Sequence, residues 1–172
     1  MILPLSDAPN PRGTPVVTYL LIAANVLVYL AVTFPMSGQP VDLADPALRG
    51  YLLAIRDSLP DGVPLRAVVE QMSAYDLFVF AHGYKPGAPH VADLVLSLFL
   101  HGGLMHLVGN MLFLWIYGDN VEHRLGGLAF LFWYLVTGVA ATLAFAAFAG
   151  DSMIPLVGAS GAISGVLGFY FL

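Results

Sequence analysis

The chain has 172 residues, of which 59% are apolar and only 10% are charged, with six Lys and Arg against eleven Asp and Glu for a formal charge of −5 at pH 7. Such a chain has no basic stripe to neutralise phosphates, which excludes nucleic acid as a partner, and its apolar content excludes disorder. With no Cys there is no disulfide framework, no thiolate metal site and no cysteine nucleophile; the class that remains is an all-α, polytopic membrane helix bundle.

Residues 1–14 read as a short N-terminal tail. Residues 15–35, PVVTYLLIAANVLVYLAVTFP, carry no charge over the roughly 20 residues that an α-helix needs to cross a hydrocarbon core. This is the first predicted span. It is not a signal peptide, because the preceding tail is as acidic as it is basic and no small-residue cleavage site follows. Residues 36–93 form a polar loop with four basic residues (Arg49, Arg56, Arg66, Lys85) against seven acidic ones (Asp42, Asp45, Asp57, Asp61, Glu70, Asp76, Asp93). Within it, ALRGYLLAIRDSL has helical spacing of apolar and charged residues, and is predicted to form an amphipathic helix at the membrane surface.

Three further spans are predicted at about 102–121, 127–149 and 158–172. The uncharged run that holds the first of these begins at Leu94, and part of it is expected to lie in the interface before a helix starts near Leu104. The last is short: 13 residues from Ser160 to Leu172 rise only about 20 Å, so the chain is expected to stop inside a helix.

Polar side chains inside uncharged membrane segments are costly to bury and are read as functional when a partner can be named. His106 and Asn110 are four residues apart and share one helix face. An interhelical hydrogen bond would explain them equally well. Ser160 lies in Gly158-Ala159-Ser160-Gly161, followed by Gly165 and Gly168. A serine at a helix start can expose its hydroxyl beside free backbone N–H groups that hold an oxyanion. The string is not the nucleophile elbow of soluble hydrolases, since position 162 is Ala, and Gly161 and Gly165 also match an ordinary helix-packing motif. His82, His90 and His123 are scattered and show no metal-ligand spacing, so neither a metal nor a cofactor is expected.

Taken together and in this order, these segments resemble the rhomboid family of intramembrane serine proteases, from about Ser97 to Leu172. His106-Leu-Val-Gly-Asn110, with His101 before it, is similar to the family's H-x-x-x-N segment. Glu122-His-Arg124 resembles its Glu-x-Arg element, and Gly158-Ala-Ser160-Gly161 its G-x-S-G motif. The resemblance implies a rhomboid-like bundle with about four of the usual six helices present, and an endopeptidase that cleaves transmembrane segments of membrane proteins in the lipid bilayer. It implies Ser160 as nucleophile and its own N–H, His106 and Asn110 as the oxyanion hole. Gly158, Gly161, Gly165, His101, Glu122 and Arg124 would be structural, with Glu122 and Arg124 pairing at the helix end and His101 anchoring a loop.

The family's dyad takes its His from a sixth helix, which is not among these residues, so the chain alone is expected to be inactive. Gly161, Gly165 and Gly168 would line a groove for that helix. Ser164 stands where some members have an aromatic residue. The alternative is a non-catalytic adaptor that binds client transmembrane helices. A bacterial inner membrane fits the composition.

Overall fold

The computed structural model describes residues 13–56, 59–60 and 62–172; most of the predicted tail, and residues 57 and 58 of the amphipathic stretch, lie outside these. Among the described residues the fold is all-helical, with only two isolated β-bridges, Pro40 with Ser73 and Tyr84 with Leu156.

The first span is α1, Val16–Ser37, whose 22 residues rise about 33 Å. It starts at Pro15, and near its end it widens into a π turn over Tyr29–Thr33, closed by the Phe34 N–H on the Tyr29 carbonyl. Pro35 supplies the reason: it has no N–H to donate, and its ring would meet the carbonyl four residues back in a regular helix.

The polar region holds more helix than the sequence pattern suggests. Helix α2, Pro46–Ile55, is capped by the Asp45 carboxylate on the Ala47 N–H at 2.7 Å, and Pro46 at its first position needs no donor. Helix α3 is Leu65–Gln71, and α4, Ala74–His82, begins in a capping box in which Asp76 accepts from both the Ser73 N–H and hydroxyl. Buried Lys85 closes the other end of α4 by donating to the Phe80 and Gly83 carbonyls. Burial pulls its ammonium below the usual lysine range, opposed by Asp93.

A short helical segment, α5 at Asp93–Phe99, is bent 94° from α6 at Leu104–Leu125, and Gly126 alone connects α6 to α7, Gly127–Ala149. Gly126 has φ +82°, in the left-handed region that favours glycine. Helix α8, Ser160–Phe171, is short at 12 residues. Two helices, α1 and α7, are long and apolar enough to cross a membrane, and a third counts if α5 and α6 form one bent span. Their outward faces carry Leu20, Leu27, Leu30, Leu128, Phe132, Leu143 and Phe148, all exposed, as the lipid-facing sides of spanning helices must be.

The core lies between α1, α6, α7 and α8, around Leu21, Leu107, Leu114, Phe130, Tyr134, Ala162 and Val166. Buried Glu122, in the last turn of α6, accepts from the Val17 N–H at 2.9 Å and from the Thr18 N–H and hydroxyl at 2.7 and 2.8 Å. It thus caps the first turn of α1, which has no cap of its own, and sets a negative charge at the positive end of that helix. Gly118, one turn earlier, lets Thr18 come this close: a Cβ there would lie 2.9 Å from Thr18 Cγ2. We expect Glu122→Gln to lower stability in micelles by about 2–4 kcal/mol, because an amide cannot accept all three bonds; an unshifted SDS unfolding midpoint would refute this.

Arg124 extends the other way, its Nη1 donating to the Phe169 and Tyr170 carbonyls of α8 at 3.2 and 3.4 Å. The end of α6 therefore joins α1 to α8.

Candidate active site

Helix α8 packs against α7 through small residues. A Cβ on Gly161 would lie 2.7 Å from Ala141 Cβ, and one on Gly165 would overlap the Thr137 side chain. This corrects the expectation that Gly161, Gly165 and Gly168 share one open groove: the first two are occupied by α7, and only Gly168 has nothing within 4 Å of a built Cβ. At spacing four along α8, Ser160, Ser164 and Gly168 are all exposed and form its open stripe. Gly165→Val should then force α7 and α8 apart at a cost of about 1–3 kcal/mol, while Gly168→Val should cost nearly nothing. Equal unfolding midpoints for the two variants would contradict this packing.

Ser160 opens α8. The preceding loop turns at Gly158, with φ +114°, whose N–H donates to the Ser97 carbonyl at 2.8 Å, and Leu156 pairs in both directions with Tyr84 at 2.8 and 3.1 Å. These bonds fix the approach to the helix, and the first N–H groups of α8 lack helical partners.

His106 and Asn110 stand on the first turns of α6. Together with Gly109 and Phe113 they form one wall of a groove of about 340 Å³, and Ser160, Ile163 and Ser164 of α8 form the other. A second opening of about 210 Å³ reaches Ser160 and Ser164 from the side of Ala141 and Phe145 on α7. Ser160 and His106 are exposed, whereas Asn110 is buried, and its Nδ2 has no hydrogen-bond partner among the described residues. A buried unused donor costs about 1–3 kcal/mol and calls for an explanation. Its position offers one: a Cβ on Gly158 would lie 2.6 Å from His106 Nε2 and 3.7 Å from Asn110 Nδ2, so both donors face the turn that leads into Ser160.

His101 lies in the loop between α5 and α6, outside the helices and fully buried. Its ring meets that of His106 edge-on, with centroids 5.1 Å apart. Burial pushes its pKa down to about 4, with His106 adding to the effect and the Phe99 carbonyl opposing it, so His101 is neutral at pH 7. Ser164 donates its hydroxyl to the Ser160 carbonyl at 2.8 Å, a bond within the helix that leaves Ser160 Oγ to itself.

Glu122 and Arg124 stand at the opposite end of α6 from His106. His123 bonds the Asp119 carbonyl there, His82 lies against Phe78, and His90 sits 3.7 Å from Asp93. Among the described residues no group of three or more His, Asp or Glu could hold a metal. Three participants were not singled out from sequence, namely Ser97, Tyr84 and Leu156, because each acts through its backbone and a backbone partner leaves no mark on residue type.

The rhomboid domain family matches residues 88–172. Over 165 residues the chain is 27% identical to RHOMBOID-like protein 6, mitochondrial, of Arabidopsis thaliana, covering 92% of this chain and 52% of that protein. It is 43% identical over 75 residues to Rhomboid protease GluP of Bacillus subtilis (strain 168), covering 44% of this chain and 14% of that one. RHOMBOID-like protein 1 of Arabidopsis thaliana is 33% identical over 107 residues, 61% of this chain and 25% of that protein. The chain thus spans about half the length, or less, of these relatives. No solved structure matches.

Proposed function

We propose that this chain, which belongs to the rhomboid family, carries the nucleophile and oxyanion hole of an intramembrane serine endopeptidase whose substrates are transmembrane segments of membrane proteins. The observation that carries this reading is the unused amide of Asn110, buried beside His106 and aimed at the turn that presents an exposed serine. A structural His–Asn pair would have spent that donor on a partner. An oxyanion hole keeps it for a charge that appears only during reaction.

In this reading a substrate segment lies against the groove between α6 and α8. Its helix must open locally there, since a carbonyl in a regular membrane helix is already bonded. Ser160 Oγ attacks the carbonyl carbon, and the oxyanion accepts from the Ser160 N–H, His106 and Asn110 Nδ2. Collapse expels the amine and leaves an acyl-serine that water hydrolyses, restoring the hydroxyl.

The serine proton needs a base. His106 is committed to the oxyanion and His101 is walled off, so the reading assigns the base to a His outside these 172 residues. The stripe of Ser160, Ser164 and Gly168 leaves room for a helix to bring it.

The test is to treat the full-length protein in detergent with a fluorophosphonate and locate the adduct by mass spectrometry. The expected result is a single adduct on Ser160, with loss of cleavage of a transmembrane substrate. Cleavage that survives complete labelling of Ser160 would overturn the reading.

A further inference from the structure

The polar region takes no part in the chemistry above, yet its contacts end on the site. Tyr75, in the first turn of α4, is 5% exposed and donates its hydroxyl to the His101 carbonyl at 2.9 Å. His101 in turn sets its ring against His106. The His106 ring also lies against Gly158, so close that a Cβ there would lie 2.6 and 2.7 Å from Nε2 and Cε1. The imidazole thus has two neighbouring walls, His101 and the Gly158 backbone.

The two walls are secured differently. Gly158 is bonded to the Ser97 carbonyl and follows the Tyr84–Leu156 bridge. His101, by contrast, is followed directly by Gly102 and Gly103, neither of which has anything within 4 Å of a built Cβ. Gly103 is held at the start of α6, where its carbonyl accepts from the Leu107 N–H at 3.1 Å, whereas Gly102 has no Cβ to restrict its backbone. His101 itself is fully buried, and the Tyr75 hydroxyl is the side-chain hydrogen bond that reaches its carbonyl. Tyr75 is itself set: the capping box fixes its turn and Phe78 stacks on its ring.

We propose that Tyr75 is a positioning residue for His106, acting through the His101 carbonyl and ring, so that the polar region aligns the oxyanion donors from outside the bundle. Its effect on turnover rests on the protease reading; its effect on His106 does not. The variant Tyr75→Phe keeps the ring and removes only the hydroxyl. Tyr134→Phe, which removes an equally buried hydroxyl from the core, is the control.

The full-length protein in nanodiscs, labelled with ¹⁵N-histidine, gives the readout. Tyr75→Phe should shift and broaden the His101 and His106 imidazole signals, and should lower kcat for a transmembrane substrate by roughly 10- to 100-fold, the scale of a misplaced catalytic group, with KM unchanged. Tyr134→Phe should leave the imidazole signals where they are. If His106 signals are unmoved in Tyr75→Phe, the proposal fails. Should that variant not fold, Tyr75→Met, which fills the site with a flexible apolar chain and likewise removes the hydroxyl, takes its place, and unmoved His106 signals there would overturn the proposal too. Retained cleavage by Ser160→Ala would remove the protease reading alone, leaving the imidazole spectra to decide on Tyr75.

Discussion

Ser160→Ala should abolish cleavage of a transmembrane substrate by the full-length protein while leaving the fold intact. The side chain is exposed at the start of α8 and its backbone does the packing: Ala159 and Ala162 on either side are fully buried, whereas the Ser160 side chain faces the groove. Removing one oxygen there deletes no core contact and creates no cavity, so the unfolding midpoint should match that of the parent. The chemical loss is large, because without the hydroxyl no acyl intermediate forms. In serine proteases the loss of the nucleophile alone costs on the order of 10⁶-fold in kcat, which in practice means no detectable product. Substrate binding should persist, since the groove between α6 and α8 is unchanged. A Ser160→Ala protein that still cut its substrate would show that the nucleophile lies elsewhere and that the exposed serine is only a packing residue.

Gly158→Ala should also be damaging, though less so and for a different reason. At φ +114° any side chain is strained, at a cost of about 1–3 kcal/mol. The added methyl would also stand 2.6 Å from His106 Nε2 and 2.7 Å from Cε1, well inside contact distance, so the imidazole must swing away. Asn110 Nδ2, at 3.7 Å, need not move. One of the proposed oxyanion donors is therefore displaced while the other stays, and loss of a single donor typically lowers kcat by about 10²- to 10³-fold. The variant should still react with a fluorophosphonate at Ser160, though slowly, which separates a misaligned site from an unfolded one. Cleavage within a few-fold of the parent would mean that His106 contributes nothing to the transition state.

Neither glycine-dependent effect follows from composition. Gly158, Gly161 and Gly165 look alike in the string, and the last two are read from sequence as sharing one groove with Gly168. The coordinates divide them: Gly158 makes room for an imidazole, while Gly161 and Gly165 make room for Ala141 and Thr137 of α7. The division depends on how α8 is rotated about its axis, and a helix whose sides are nearly all apolar or small carries little periodic signal to reveal that rotation. The polar region was legible only in part. Its amphipathic helix shows in the spacing of residues 47–59, but α4 is held by Ser73, Asp76 and Lys85 through bonds to backbone and by contacts with loops far along the chain.

What the sequence determined by itself was the all-helical membrane class and the short list of polar residues that stand out against an uncharged background. Lipid is intolerant of unpaired polar groups, so His106 and Asn110 are conspicuous within such a run, and Glu122 stands in the charged cluster just past its end. Tertiary structure alone decided what each of them meets. Glu122 spends its carboxylate on the first turn of α1, 104 residues away for its bond to Thr18, whereas Asn110 keeps a buried donor unspent beside Ser160. Residue type records that a side chain can bond; only the packing of α1, α6 and α8 brings its partner within reach.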